Sequence, residues 1–137
     1  MKPIVFVVPG KIPSKKNMYH IGMNRQTGRR RIILTEAVRD YQKKVWAYAT
    51  KVSVAHGFRL IGPLSITLTA YVKNIKQDVD NMVGAIFDGL KQSRLIEDDA
   101  QFYNLHVHKR MAGGKQELII SIGKAGEDGE ELPEETD

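Results

Sequence analysis

At 137 residues, 42% of them hydrophobic, the chain can build one core and one domain. It has no cysteine, which excludes disulfides and thiolate metal sites and makes a reduced cytoplasm the expected compartment. It also has no apolar run near the ~20 residues of a membrane span, nor the apolar core of a secretory signal. A formal net charge of +5 makes a polyanion the leading class of partner, against the plainer reading of lysines kept for solubility.

The run "KPIVFVV", residues 2–8, ends at Pro9-Gly10 and predicts a first strand. A long basic loop follows, "KIPSKKNMYHIGMNRQTGRRR", with a small hairpin expected to turn at Gln26, Thr27 and Gly28 and to return through Arg31 to Leu34. From Lys11 to Lys44 ten basic residues stand against Glu36 and Asp40. Thr35 can cap a helix in which Val38, Tyr41, Val45, Tyr48 and Val52 recur at spacings of three and four, to about Ala55, with Gly57 closing it. Trp46 lies close to that stripe and reads as packing. "GPLSITLTAYV", 62–72, alternates Leu64, Ile66, Leu68, Ala70 and Val72 with polar neighbours and predicts a half-buried strand.

From Asn81 the period changes, and Met82, Val83, Ile86, Phe87 and Leu90 stripe a helix of about three turns that "SRLIEDDA" breaks. "QFYNLHVHKRM" and "QELIISIG" alternate on either side of "AGGK", giving a strand, a Gly-Gly turn and a strand. The tail from Lys124, "KAGEDGEELPEETD", holds seven acids and one base, so residues 1–123 carry 20 Lys and Arg against 9 Asp and Glu, a balance of +11. The expected fold is α+β: one mixed, mostly antiparallel sheet of four to five strands with two helices on one face, occupying 1–123, and a disordered acidic tail over 124–137.

"KNIKQDVDNMVGAIFDGL", 73–90, gathers acids in this basic chain. In an extended segment Asp78 and Asp80 point the same way, with Cα atoms ~6.5 to 7 Å apart. Asp98 and Asp99 open the next strand, and Asp99 can return beside Asp80 if the two strands are neighbours in the sheet. Oxygen donors without cysteine suit Mg²⁺ or Mn²⁺. Close carboxylates repel, so gathering them costs stability unless a cation neutralises them. Bases that hold a nucleic-acid backbone around acids that hold a metal make a metal-dependent phosphodiesterase. Each acid also has a plain reading: Asp80 before Asn81 as a helix N-cap, Asp78 as a loop acid, "EDD" as a turn. Asp88, on the same predicted helix, reads as lying away from the cluster.

The stretch "QDVDNMVGAIFDGLKQSRLIEDDAQ" resembles the signature of the RusA family of Holliday junction resolvases, as do the upstream "IPSKKNMYH" and "TEAVRDYQKKV". The likeness runs in order over roughly residues 3–122. It implies catalytic and metal-holding carboxylates at Asp78, Asp80 and Asp99, with Asp98 adjacent. It further implies a Mg²⁺-dependent homodimer that resolves four-way DNA junctions by paired symmetric nicks, leaving 5′-phosphates, in recombination and repair. One position departs from the family. The lysine common one helical turn after the second aspartate is Gly84 here, and Lys76, two residues before Asp78, is the candidate substitute.

Lys15, Lys16 and Asn17, with Arg29, Arg30 and Arg31 across the loop and Lys43 and Lys44 on the first helix, are the candidate DNA-backbone contacts, with an ordinary solvated loop as the alternative. His106 and His108 alternate on one strand and read as an exposed sheet face rather than a metal site. Tyr19, Phe102 and Tyr103 are candidates for stacking on unpaired bases, although Phe102 and Tyr103 point to opposite faces and at least one belongs to the core. The rival from another class is a catalytically inactive or non-selective nucleic-acid-binding module of the same fold.

Overall fold

The computed structural model describes residues 2–13, 19–23, 26–28, 30–34, 36–57, 59–74, 77, 79 and 82–126, with 19–23 and 30–34 as backbone alone. Its main sheet contains β1 (Ile4–Pro9), β4 (Leu64–Val72), β5 (Phe102–Met111) and β6 (Glu117–Lys124), in the spatial order β1-β6-β4-β5. Strands β2 (Tyr19–Met23) and β3 (Arg30–Leu34) form a separate antiparallel hairpin around the expected turn. Helices α1 (Glu36–His56) and α2 (Val83–Gln92) complete the α+β fold.

The alternation of the strands decides which face is covered. Ile4 pairs with Ile122 and Ile122 with Ile66; Phe6 with Ile120 and Leu68, and Val8 with Leu118 and Ala70, repeat the pattern. All nine side chains are buried. The third pairing sets the direction of β5, which runs parallel to β4 because the connection between them is a crossover through α2 and not a tight turn. Each apolar row ends at this edge, on Leu105, Val107 and Lys109. On the other face, Val5, Ser121, Thr67 and His106 form one row and Val7, Ile119, Thr69 and His108 the next. The two imidazoles are stacked, with centroids 6.5 Å apart, on the face away from the apolar core, where both are half-buried and not exposed as the sequence suggested.

Helix α1 buries Val38, Tyr41, Val45 and Ala49 and ends where expected, with Gly57 at φ 77° and its N–H donating to Ser53 O. Trp46 does not pack in the core. It is 45% exposed, because position 46 follows the buried Val45 by one residue and so rotates about 100° off the inward stripe. Phe102 packs on Phe87 with ring centroids 4.9 Å apart, whereas Tyr103 is exposed. Helix α2 starts at Val83 with Met82 as its N-cap, and no side chain caps it. The cap expected at Asp80 is therefore displaced by two residues. The entry turn is held instead by Met82 N–H donating to Val79 O at 2.9 Å, both residues being buried.

At the far end, β6 runs to Lys124 and Ala125 N–H donates to Pro63 O. Thr35, the expected cap of α1, and residues 127–137 lie outside the described residues. No helix among the described residues is long and apolar enough to cross a membrane.

Candidate active site

Beyond β4 the chain is tied down by Gln77. Its N–H donates to Asn74 O at 3.0 Å and its side-chain oxygen accepts from Asn74 N–H at 3.3 Å, which closes a turn. Its Nε2 donates to Ile12 O at 2.8 Å, and its carbonyl accepts from Lys109 Nζ at 3.0 Å. That carbonyl belongs to the peptide bond leading into Asp78. Gln77 and Val79 are both buried, so the residues flanking Asp78 are fixed from the segment after β1, from β5 and from the core. Asp78, Asp80 and Lys76 themselves lie outside the described residues.

The second acidic stretch is a single 3₁₀ turn, Asp99–Gln101, that opens β5. Asp98 is its N-cap and accepts from Ala100 N–H at 3.1 Å, while the Gln101 side chain accepts from Glu97 and Asp98 N–H, forming a capping box. Gln101 Nε2 also reaches Leu60 O and Gly62 O, which locks the turn to the start of β4. The Ala100 N–H, then the hydrogen bond with Asp99, hold the Asp98 carboxyl below the usual range. The same carboxyl pair works the other way on Asp99, whose carboxyl is pushed up chiefly by its hydrogen bond with Asp98. The two acids thus have different roles, Asp98 being engaged by the backbone and Asp99 facing a cation.

That cation is Lys91, in the last turn of α2, with Nζ 3.9 Å from Asp99 Oδ2 and 3.4 Å from Asp88 Oδ1. Asp88 is therefore connected to Asp99 through Lys91, and it does not lie away from the second acidic stretch as the sequence suggested. Gly84, in the first turn of α2, carries no side chain and has open space around it, so close packing does not explain it.

Neighbouring strands do bring β4 and β5 together, but their parallel pairing sets the end of β4 opposite the end of β5. Asp99 precedes Phe102, level with Leu64, whereas the chain that goes on to Asp78 and Asp80 leaves β4 at Val72, about 26 Å from Leu64 along the strand at ~3.3 Å per residue. Helix α2, about 15 Å long at ~1.5 Å per residue, carries the chain back over part of that length. Among the described residues no three His, Asp or Glu side chains are grouped as a metal site.

Of the candidate DNA contacts, Lys43 is exposed on α1 and the Lys44 ammonium lies against Gly10 at the end of β1. Arg30 and Arg31 lie on β3, paired with Met23 and Gly22. Lys15, Lys16, Asn17 and Arg29 fall outside the described residues. Sequence reasoning passes over Gln77, Lys91 and Lys109. The Asp98-x-x-Gln101 spacing is a legible sign of the capping box; nothing comparable marks Gln77.

Fold and acids together define a small basic α+β domain whose carboxylates are concentrated on the crossover from β4 to β5. The chain belongs to the endodeoxyribonuclease RusA family, whose model matches residues 9–123. It is also 30% identical, over 60 residues, to a crossover junction endodeoxyribonuclease RusA from Aquifex aeolicus (strain VF5). That alignment covers 43% of this chain and about half, 48%, of that relative.

Proposed function

We propose that the protein is a Mg²⁺-dependent endodeoxyribonuclease, with Mn²⁺ as an alternative ion, that resolves four-way DNA junctions by paired symmetric nicks. It would act as a homodimer in the cytoplasm, in recombination and repair. The observation that carries this reading is the family match over residues 9–123, which spans the whole stretch from Asp78 to Asp99. Asp78 and Asp80 would hold the ion, and Asp99, which the parallel β4–β5 pairing leaves at the other end of the sheet, would join them only when brought there by the second protomer of the homodimer. Their donor set, hard oxygens without cysteine, fits it. When bound, the ion would polarise the phosphodiester and the attacking water.

The chain's own residues supply the rest. Gln77 and Lys109 fix the peptide that leads into Asp78, Lys91 balances Asp99 and Asp88, and the basic loop, Lys43 and Lys44 hold the phosphate backbone. Hydrolysis adds water across the bond from phosphorus to the 3′ oxygen, leaving a 3′-hydroxyl on one side of each nick and a 5′-phosphate on the other side, both on the strand that is cut. The direct test is a labelled four-way junction beside a linear duplex of the same sequence, with and without Mg²⁺. Paired nicks in the junction, dependent on the ion, are expected; ion-independent cutting, or equal cutting of both substrates, would sink the reading.

Two lesser effects follow from charge. Lys76→Ala should lower the cleavage rate far more than it lowers junction affinity, because a cation aimed at the transition state matters most there, and Gly84→Lys should restore part of the loss. Equal losses in rate and affinity would reduce Lys76 to one backbone contact. Removing residues 125–137, with their seven acids, should tighten binding to any duplex at low salt, by relieving competition with DNA that salt otherwise screens. An unchanged low-salt affinity would leave the tail with no part in binding.

A further inference from the structure

We propose that a pocket at the carboxyl end of the main sheet, walled by Lys11, Lys73 and Lys115, is a phosphate-binding subsite for the DNA backbone. The proposal rests on the nucleic-acid reading above and adds to it Lys73 and Lys115, which lie outside the loop and helix already assigned and meet the start of that loop at Lys11. The pocket is an open depression of about 450 Å³, completed by Pro9, Gly10, Gly114, Gln116 and Glu117.

Its three lysines come from three separate parts of the chain. β1 and β4 run in the same direction, each being antiparallel to β6, so both end at this edge of the sheet. Lys11 follows the end of β1, Lys73 is the first residue after β4, and Lys115 sits on the turn from β5 to β6. Gly10 N–H donates to Gln116 O at 3.0 Å and so fastens the first of these segments to the third. Glu117 is the one acid in the wall, and none of the three lysines is ion-paired among the described residues. Three lysines around one pocket repel one another, so an arrangement of this kind is favourable when an anion lies between them. Lys44, over Gly10, adds a fourth positive charge to the same corner.

The pocket is also joined to the candidate carboxylates. Lys11 is next to Ile12, whose carbonyl accepts from Gln77 Nε2, and Lys73 is next to Asn74, whose N–H and C=O both bond Gln77. Gln77 precedes Asp78. A strand gripped at Lys11, Lys73 and Lys115 would therefore run towards the acids, so the anion that best fits is a phosphodiester of the same strand. The rival occupant is the chain's own acidic tail.

The test compares Lys11→Ala/Lys73→Ala/Lys115→Ala with a control of equal charge loss, Lys2→Ala/Arg59→Ala/Lys124→Ala, whose residues are exposed at the opposite end of the sheet. Affinity for a labelled four-way junction and for a linear duplex is measured in Ca²⁺ over a salt series. The pocket variant should bind at least about tenfold more weakly near 0.1 M salt. Its log-log salt slope should be shallower by about 1 to 2, since each phosphate that is no longer neutralised removes ~0.9 from the slope. The control should keep the parental slope. Equal slopes and affinities in the two variants overturn the subsite, and so does binding by the pocket variant that equals or exceeds the control's, the result if the acidic tail were the occupant. A parent that binds DNA but never cuts junctions defeats the nuclease reading alone, because the slope comparison still decides the pocket. A parent that binds no DNA overturns both.

Discussion

Asp80→Asn should abolish junction cleavage, by at least about a hundredfold, while leaving junction binding in Ca²⁺ intact or tighter. Losing one charge from a site that holds a cation removes transition-state stabilisation of that order, whereas relief of carboxylate–phosphate repulsion favours the bound complex. The helix start should survive the change, because α2 is entered through Met82 and Val79 and uses no side-chain cap. Asp78→Asn and Asp99→Asn should behave alike if the three share one ion. Asp88 is a poor control, since its carboxylate shares Lys91 with Asp99. Asp40→Asn, on the exposed face of α1, is the better one and should cut at the parental rate. An Asp80→Asn protein that folds, binds and still nicks at near the parental rate would show that the carboxylates are not the active site.

How much of this is legible in the sequence depends on whether the signal is periodic. β4 and β6 declare themselves through strict alternation, and their buried apolar residues are those of that pattern. The hairpin of β2 and β3 is marked by Gln26, Thr27 and Gly28. The direction of β5 is not marked, because alternation is the same in parallel and antiparallel strands; the crossover through α2 decides it. Trp46 departs from expectation because closeness to a helical stripe is not membership of it. At the site, Asp98 and Asp99 are chemically identical in sequence and acquire different roles through Ala100 N–H and Lys91. Gln77 leaves no trace, since its partners, Ile12 and Lys109, are 65 and 32 residues away.

The two glycines of α2 should respond in opposite directions to alanine. In sequence both are flaws in a helix, each costing ~1 kcal/mol relative to alanine. Gly84 is exposed with nothing within 4 Å of an added Cβ, so Gly84→Ala should stabilise the protein by about 0.5–1 kcal/mol. Gly89 is buried where α1 crosses α2. A Cβ there would lie 2.9 Å from Val45 Cγ1 and 3.0 Å from the Gln42 carbonyl oxygen. A flexible side chain could yield, but the Gln42 backbone cannot, so the helices must part and the packing around Val45 must open. Gly89→Ala should therefore destabilise by about 1–3 kcal/mol despite its better helix propensity, and Gly89→Leu by more. Thermal unfolding of the three variants reads the order directly, at roughly 4 °C per kcal/mol for a domain of this size. Because α2 also carries Lys91 to Asp99, Gly89→Leu should lower cleavage even at temperatures where the protein stays folded. If Gly89→Ala melts at or above the parental temperature, the helix crossing is looser than the structure has it, and the close approach that seats Lys91 against Asp99 would have to be held by other contacts.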